Sequence, residues 1–225
     1  MEIDFPPRDE RHPLRLKIEI FLNTLNHVFI GFVSINMTWT CFQNGWTVMT
    51  LHAWLCTIGY NLLLAESILC FYPANVWTDM YSVRAKTGVH WFLHVVGSGM
   101  GLAGAILMIV HEKGQFHSTV HAVFGFIASF LLFFNLVTSV AAFFHHCRGR
   151  KLHPFTHTAL QNFIYSSFMA GMLSQCLGYY YMESVDEILI RLMISFTAIT
   201  LVLTVLEYTV SYVKQCHTPV EDLEL

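Results

Sequence analysis

Charge is scarce in this chain. Only 12% of its 225 residues are Asp, Glu, Lys or Arg, against 55% hydrophobic and 15% aromatic residues. That balance excludes an ordinary soluble domain, and the length excludes a large transporter. No basic tract or acidic tail is present and the formal net charge is -3, so no nucleic-acid partner is expected. Paired cysteines are also lacking: Cys41, Cys56, Cys70, Cys147, Cys176 and Cys216 are scattered and none forms a CxxC motif. Their spacing excludes a disulfide framework, a zinc ribbon and covalent attachment through CxxCH, leaving buried, reduced thiols. The N-terminal stretch MEIDFPPRDERHPLRLK has no short apolar core followed by a small-residue cleavage site, so no cleaved signal peptide is expected.

What is there is a series of long apolar runs. They cover roughly residues 20–40, 47–72, 87–110, 116–144, 154–182 and 188–212, each near the ~20 residues needed to cross a bilayer as a helix. Pro73 closes the second run by removing a backbone donor, and Pro154 opens the fifth, where a first-turn proline is tolerated. The reading is an all-α integral membrane protein of six transmembrane helices. Residues 1–19 form an N-terminal segment, 20–212 the six-helix domain and 213–225 a C-terminal tail. Glu207, near the end of the last run, is expected to reach water at the interface.

Six spans put both termini and the second and fourth loops on one side. That side carries Arg8, Arg11, Arg15, Lys17, Arg84, Lys86, Arg148, Arg150, Lys151 and Lys214, whereas the other holds Lys113 and Arg191. Positive residues near helix ends are retained in the cytosol, so both termini are expected there.

Four histidines, His52, His90, His121 and His157, each lie near the start of a different run. An imidazole inside a membrane is costly and normally marks a function. Helices two and four enter from the non-cytosolic side, so His52 and His121 share one depth. Helices three and five enter from the cytosol, so His90 and His157 share another. Paired histidines on facing helices at matched depth suit the axial positions of a six-coordinate, non-covalent b-type haem, and two such bis-histidine sites make an electron path across the bilayer. The four-helix core of helices two to five would hold both haems. Glycines 97, 99, 101 and 104 on helix three, with Gly59, Gly125 and Gly171 elsewhere, either clear room for flat macrocycles or let helices pack closely.

Two neighbours compete. His94 and His117 each lie one turn from a proposed ligand and on nearly the same face, and spacing alone leaves both open. His27, single on helix one, reads as hydrogen bonded and inert, and His145, His146 and His153 as solvated. The same histidines, with six cysteines and ten methionines, also allow a transition-metal transporter or a zinc-dependent membrane hydrolase. A hydrolase, however, would want its ligands at one depth, together with a carboxylate base.

Several stretches carry a family resemblance: KTGVHWFLH with Lys86 before His90, HEKGQFHSTVH ending in His121, and PFTHTALQNF containing His157. On these, residues 20 to 212 resemble the cytochrome b561 family, six-helix di-haem proteins that pass electrons from cytosolic ascorbate across a membrane. The resemblance implies the pairs His52 with His121 and His90 with His157, and it selects His90 over His94 and His121 over His117. It implies an ascorbate-dependent oxidoreductase whose outer acceptor is monodehydroascorbate or a ferric chelate, and a homodimer. Short tails resemble the compact branch of the family. The sequence His52-Ala53-Trp54 lacks the proline and methionine that many members place after this histidine.

Ascorbate is a monoanion at neutral pH, and Lys86, Arg150 and Lys151 are the cations that can converge at the cytosolic mouth. His111, at the end of helix three, resembles a family histidine that contacts the outer substrate. In the mechanism so implied, cytosolic ascorbate docks on these cations and yields one electron and a proton. The electron passes from the inner to the outer haem and on to an acceptor near His111. The expected setting is an intracellular vesicle, endoplasmic reticulum or lysosomal membrane, favoured over the plasma membrane.

Overall fold

A computed structural model describes the backbone of residues 13–113, 119–147, 154–182 and 185–217, with side chains described throughout except at 145–147, 154–158 and 210–217. Six long helices follow one another: α1 Pro13–Asn44, α2 Val48–Leu69, α3 Val83–His111, α4 Val120–Cys147, α5 Pro154–Gly178 and α6 Glu187–His217. There is no strand among the described residues.

Short polar caps set the helix starts. Thr47 caps α2 by accepting the Thr50 N–H, and Thr50 bonds back to the Thr47 backbone. Ser82 caps α3 through Ala85, and Thr119 Oγ accepts the Ala122 N–H as α4 begins. These caps bring His52, His90 and His121 into the first turns of their helices. Residues 114–118, and with them His117, lie outside the described residues.

Among the described residues, five helices are long and apolar enough to cross a membrane: Pro13–Asn44, Val48–Leu69, Val83–His111, Val120–Phe144 and Glu187–Thr209. The remaining helix, α5, has 25 residues and the same length class, but it is more polar, and its Ser167, Ser174 and Gln175 are buried against neighbours. Ser167 donates to the Ala128 carbonyl of α4 and Gln175 to the Cys56 carbonyl of α2. A span surrounded by protein can carry such groups, because its partners satisfy them away from lipid. The outward surface is apolar in the opposite sense: Phe126, Phe130, Phe133 and Phe134 of α4 are exposed, as a lipid-facing helix requires.

Helices α2 and α3 form the most extensively packed pair, α4 packs along α5, and α1 packs on α6 at the flank. The approach of α2 to α3 depends on missing side chains. A Cβ on Gly59 would lie 2.8 Å from the Gly101 nitrogen and 2.9 Å from the Gly97 oxygen, so two backbones touch there. The glycines expected either to clear space or to pack therefore do the second at Gly59, Gly97 and Gly101. Gly99, on the same helix, has nothing near its Cβ position and points outward.

At this contact, α2 widens into a π-helical stretch at Thr57–Leu64, which turns Gly59, Tyr60, Asn61 and Leu64 all inward. The Tyr60 ring lies in the middle of the bundle, with Gly101 of α3 on one side and Gly171 of α5 in contact on the other. Leu64, Leu132, Phe168 and Met172 close around it, none more than 1% exposed. This layer is solid packing.

A polar network ties the flank to the core. His27 Nδ1 and Glu66 Oε1 are 2.7 Å apart, Trp77 donates to the other Glu66 oxygen, and His27 Nε2 meets Asn23 Oδ1. Asn23 in turn donates to Glu207. The expectation that Glu207 reaches water is corrected here, since it is 5% exposed and bonded to α1 inside the bundle. The physical reason is the length of α6, which runs on to His217 and carries this residue more than two turns inside its end.

Candidate haem-binding histidines

His52 and His121 face each other. Their ring centroids are 6.2 Å apart and the ring planes stand at 80°. Metal–nitrogen bonds of about 2.0–2.1 Å on either side of one ion would place two imidazole centres about 6 Å apart, so this gap has the width of a bis-histidine axial pair. The nitrogens are assigned accordingly. His52 Nδ1 donates to the Gly104 carbonyl of α3 at 2.9 Å, and His121 Nδ1 donates to the Ser174 carbonyl of α5 at 2.8 Å. With Nδ1 protonated and engaged, Nε2 is the nitrogen left to bind a metal, the usual arrangement of a ligating imidazole.

The walls around the pair are close. A Cβ on Gly178 would lie 2.8 Å from His121 Cε1, and one on Gly104 would lie 2.8 Å from Cys56 Sγ. Tyr181 stands 5.9 Å from the His121 ring, centroid to centroid.

At the other level, His90 Nδ1 donates to the Ser67 carbonyl of α2 at 2.9 Å, the same kind of bond. Ser67 lies fifteen residues beyond His52 on the same helix. A rise of about 1.5 Å per residue thus separates the two levels by about 20 Å. Phe71 packs on the His90 ring at 5.2 Å, and His94 stacks on it at 6.0 Å with planes 11° apart. His94 is 4% exposed and neither ring nitrogen has a hydrogen-bond partner among the described residues. It is thus a buried neighbour of His90 rather than a surface group.

His157 lies on α5, one turn past Pro154, but its side chain is outside the described residues, as are Arg150 and Lys151. Lys86 is half-buried in the first turns of α3, one turn before His90. His111 is exposed at the last residue of α3, with Lys113 just beyond it at a positive φ of 52°. Sequence reasoning missed Ser67, Ser174 and Gly178. The available signal was that serines in spanning helices commonly bond across to neighbouring helices.

Among the described residues no three His, Cys, Asp or Glu side chains converge on one point that could hold a metal ion. The part-buried carboxylate near the inner level, Glu66, is engaged by His27 and Trp77. A three-ligand zinc site with a carboxylate base finds no support there.

No curated protein and no solved structure matches the chain. The family model for eukaryotic cytochrome b561 matches residues 51–185, more than half of the sequence and the whole stretch from His52 through α5. The chain belongs to the eukaryotic cytochrome b561 family, and is a transmembrane electron-transfer oxidoreductase of the haem b class.

Proposed function

We propose that this protein carries electrons from cytosolic ascorbate to a non-cytosolic acceptor, either monodehydroascorbate or a ferric chelate, through two non-covalent b-type haems. The observation that carries the reading is the 6.2 Å gap between His52 and His121, with each Nδ1 already bonded to backbone. Those two histidines hold the outer haem by Nε2, and His90 and His157 hold the inner one. When bound, the haem iron supplies a one-electron couple that no side chain in the bundle can provide.

The chain's own groups do the rest. Nδ1 bonds fix the His52, His90 and His121 imidazoles in one tautomer and orientation. The packed layer around Tyr60 excludes water between the levels. Lys86, with Arg150 and Lys151, offers positive charge to the ascorbate monoanion at the cytosolic mouth. His111 offers an imidazole to the outer acceptor, able to ligate iron or take a proton. Domain limits follow the same reading: residues 20–212 form the redox domain, flanked by cytosolic segments 1–19 and 213–225. Both termini are cytosolic by the distribution of Lys and Arg, and the protein works as a homodimer in an intracellular vesicle, endoplasmic reticulum or lysosomal membrane.

The test is a reduced-minus-oxidised visible spectrum of the purified protein with ascorbate as reductant, together with haem quantified as the pyridine complex. Two haems per chain, both reduced by ascorbate, and loss of one haem in His52→Ala are the expected results. A colourless protein containing zinc or copper would overturn the reading.

A further inference from the structure

Ser67 and Ser174 stand in the same relation to His90 and His121. In each case the histidine Nδ1–H donates to the serine carbonyl, at 2.9 and 2.8 Å. The serine Oγ lies 3.1 and 3.0 Å from that same Nδ1. It also donates to the histidine's own carbonyl, at 3.3 and 3.0 Å. Serine and histidine are therefore locked by a reciprocal pair of bonds between two helices, α2 with α3 and α5 with α4.

Several other hydroxyls of this bundle are satisfied within their own helix. Thr24, Ser129, Thr138 and Ser195 each donate to the carbonyl four residues earlier in their own helix. Ser67 and Ser174 reach across to another helix instead, although they are only 1% and 5% exposed. Room is kept for one of them: a Cβ on Gly125 would lie 3.1 Å from Ser174 Oγ. His52 lacks the device. Its Nδ1 donates to Gly104, which has no side chain, and the nearest second acceptor is the weak Cys56 thiol at 3.7 Å.

We propose that Ser67 and Ser174 are positioning residues that set the reduction potential of one centre each, Ser67 through His90 at the inner level and Ser174 through His121 at the outer. The assignment rests on the haem reading above. Because each hydroxyl spends its hydrogen on the histidine carbonyl, it turns a lone pair toward Nδ1–H. The imidazole then has two acceptors on one donor, which makes it more basic. A more basic axial ligand favours the ferric state and lowers the potential.

The experiment is a potentiometric titration of the purified holoprotein, followed in the visible spectrum and by low-spin ferric EPR, for wild type, Ser67→Ala, Ser174→Ala and the double variant. Each alanine variant is expected to move one of the two redox waves upward with its own EPR signal, the two variants moving different waves and the double moving both. Gly125→Ala keeps the hydroxyl but crowds it, and is expected to move the Ser174 wave alone by a smaller amount. Selective loss of one haem in an alanine variant, with its threonine counterpart keeping both, supports the same assignment through occupancy. Wild-type protein without haem would sink the cofactor reading itself. Two haems with both waves unmoved in Ser67→Ala and Ser174→Ala, or both waves moved equally by either variant, would overturn the serine assignment alone.

Discussion

A single absent methyl group sets how closely α5 can lie beside His121. The Cβ that Gly178→Ala would introduce comes within 2.8 Å of Cε1 and 3.0 Å of Nδ1 of that ring. The ring cannot yield freely, because Ser174 holds it. Overpacking of this kind costs about 1–3 kcal/mol. On the proposed two-haem reading, Gly178→Ala is expected to lower occupancy of the outer haem while sparing the inner one, read as a haem-to-protein ratio falling from two toward one. Equal loss from both sites would show that the residue matters only to the fold. At this scale the sequence was informative about histidines and silent about their supports. An imidazole in an apolar run is an anomaly on any reading, so His52 and His121 could be placed at one depth from helix direction alone. Serine and glycine in a membrane span are commonplace, and only the register of one helix on another brings Ser174, Gly178 and His121 together.

At the scale of the element, α2 and α3 behave as one unit because their backbones touch. Gly59→Ala would drive a Cβ to 2.8 Å from a backbone nitrogen and 2.9 Å from a backbone oxygen, neither of which has a flexible end to move. Gly99→Ala, on α3, meets nothing within 4 Å and adds a better helix former. The first is expected to lower stability in detergent by about 1–3 kcal/mol and the second to leave it unchanged or slightly raised, measured as thermal loss of the haem absorbance. Equal behaviour of the two variants would mean that the contact yields. The helices themselves were legible from hydropathy, including the proline at the head of α5. Their ends were less so: α1 starts at Pro13, α6 runs to His217, and α2 ends at Leu69, three residues before the apolar pattern does. The π stretch in α2 left no mark in the sequence, since nothing in TIGYNLLL departs from an ordinary apolar helix. It follows from the docking of Gly59 on α3 and of Asn61 on α1, where Asn61 donates to the Ile30 carbonyl.

At the scale of the whole molecule, the inward placement of Glu66, Glu207 and His27 illustrates why charge patterning read one dimension too few. The described Lys and Arg sit near helix ends, as Lys86 does in the first turns of α3, whereas Glu207 looked interfacial and is buried through its bond with Asn23 on α1. The Tyr60 layer reaches further. With Leu64, Leu132, Phe168 and Met172 closed around the ring, the middle of the bundle, among the described residues, is apolar packing. On the proposed function, a conductor of electrons with so closely packed a middle is expected to build voltage as it works. In the proposed direction, each electron leaving the cytosol would make that side more positive, and the next would move against about 2.3 kcal/mol for every 100 mV accumulated. In sealed liposomes loaded with ferricyanide and supplied with external ascorbate, turnover should start fast and stall. Potassium with valinomycin should restore the initial rate, whereas a rate indifferent to the ionophore would mean that charge leaks back through the bundle. On the same reading, in a cell the protein would generate membrane potential, its pace set by whichever channel or pump in that membrane lets the charge return.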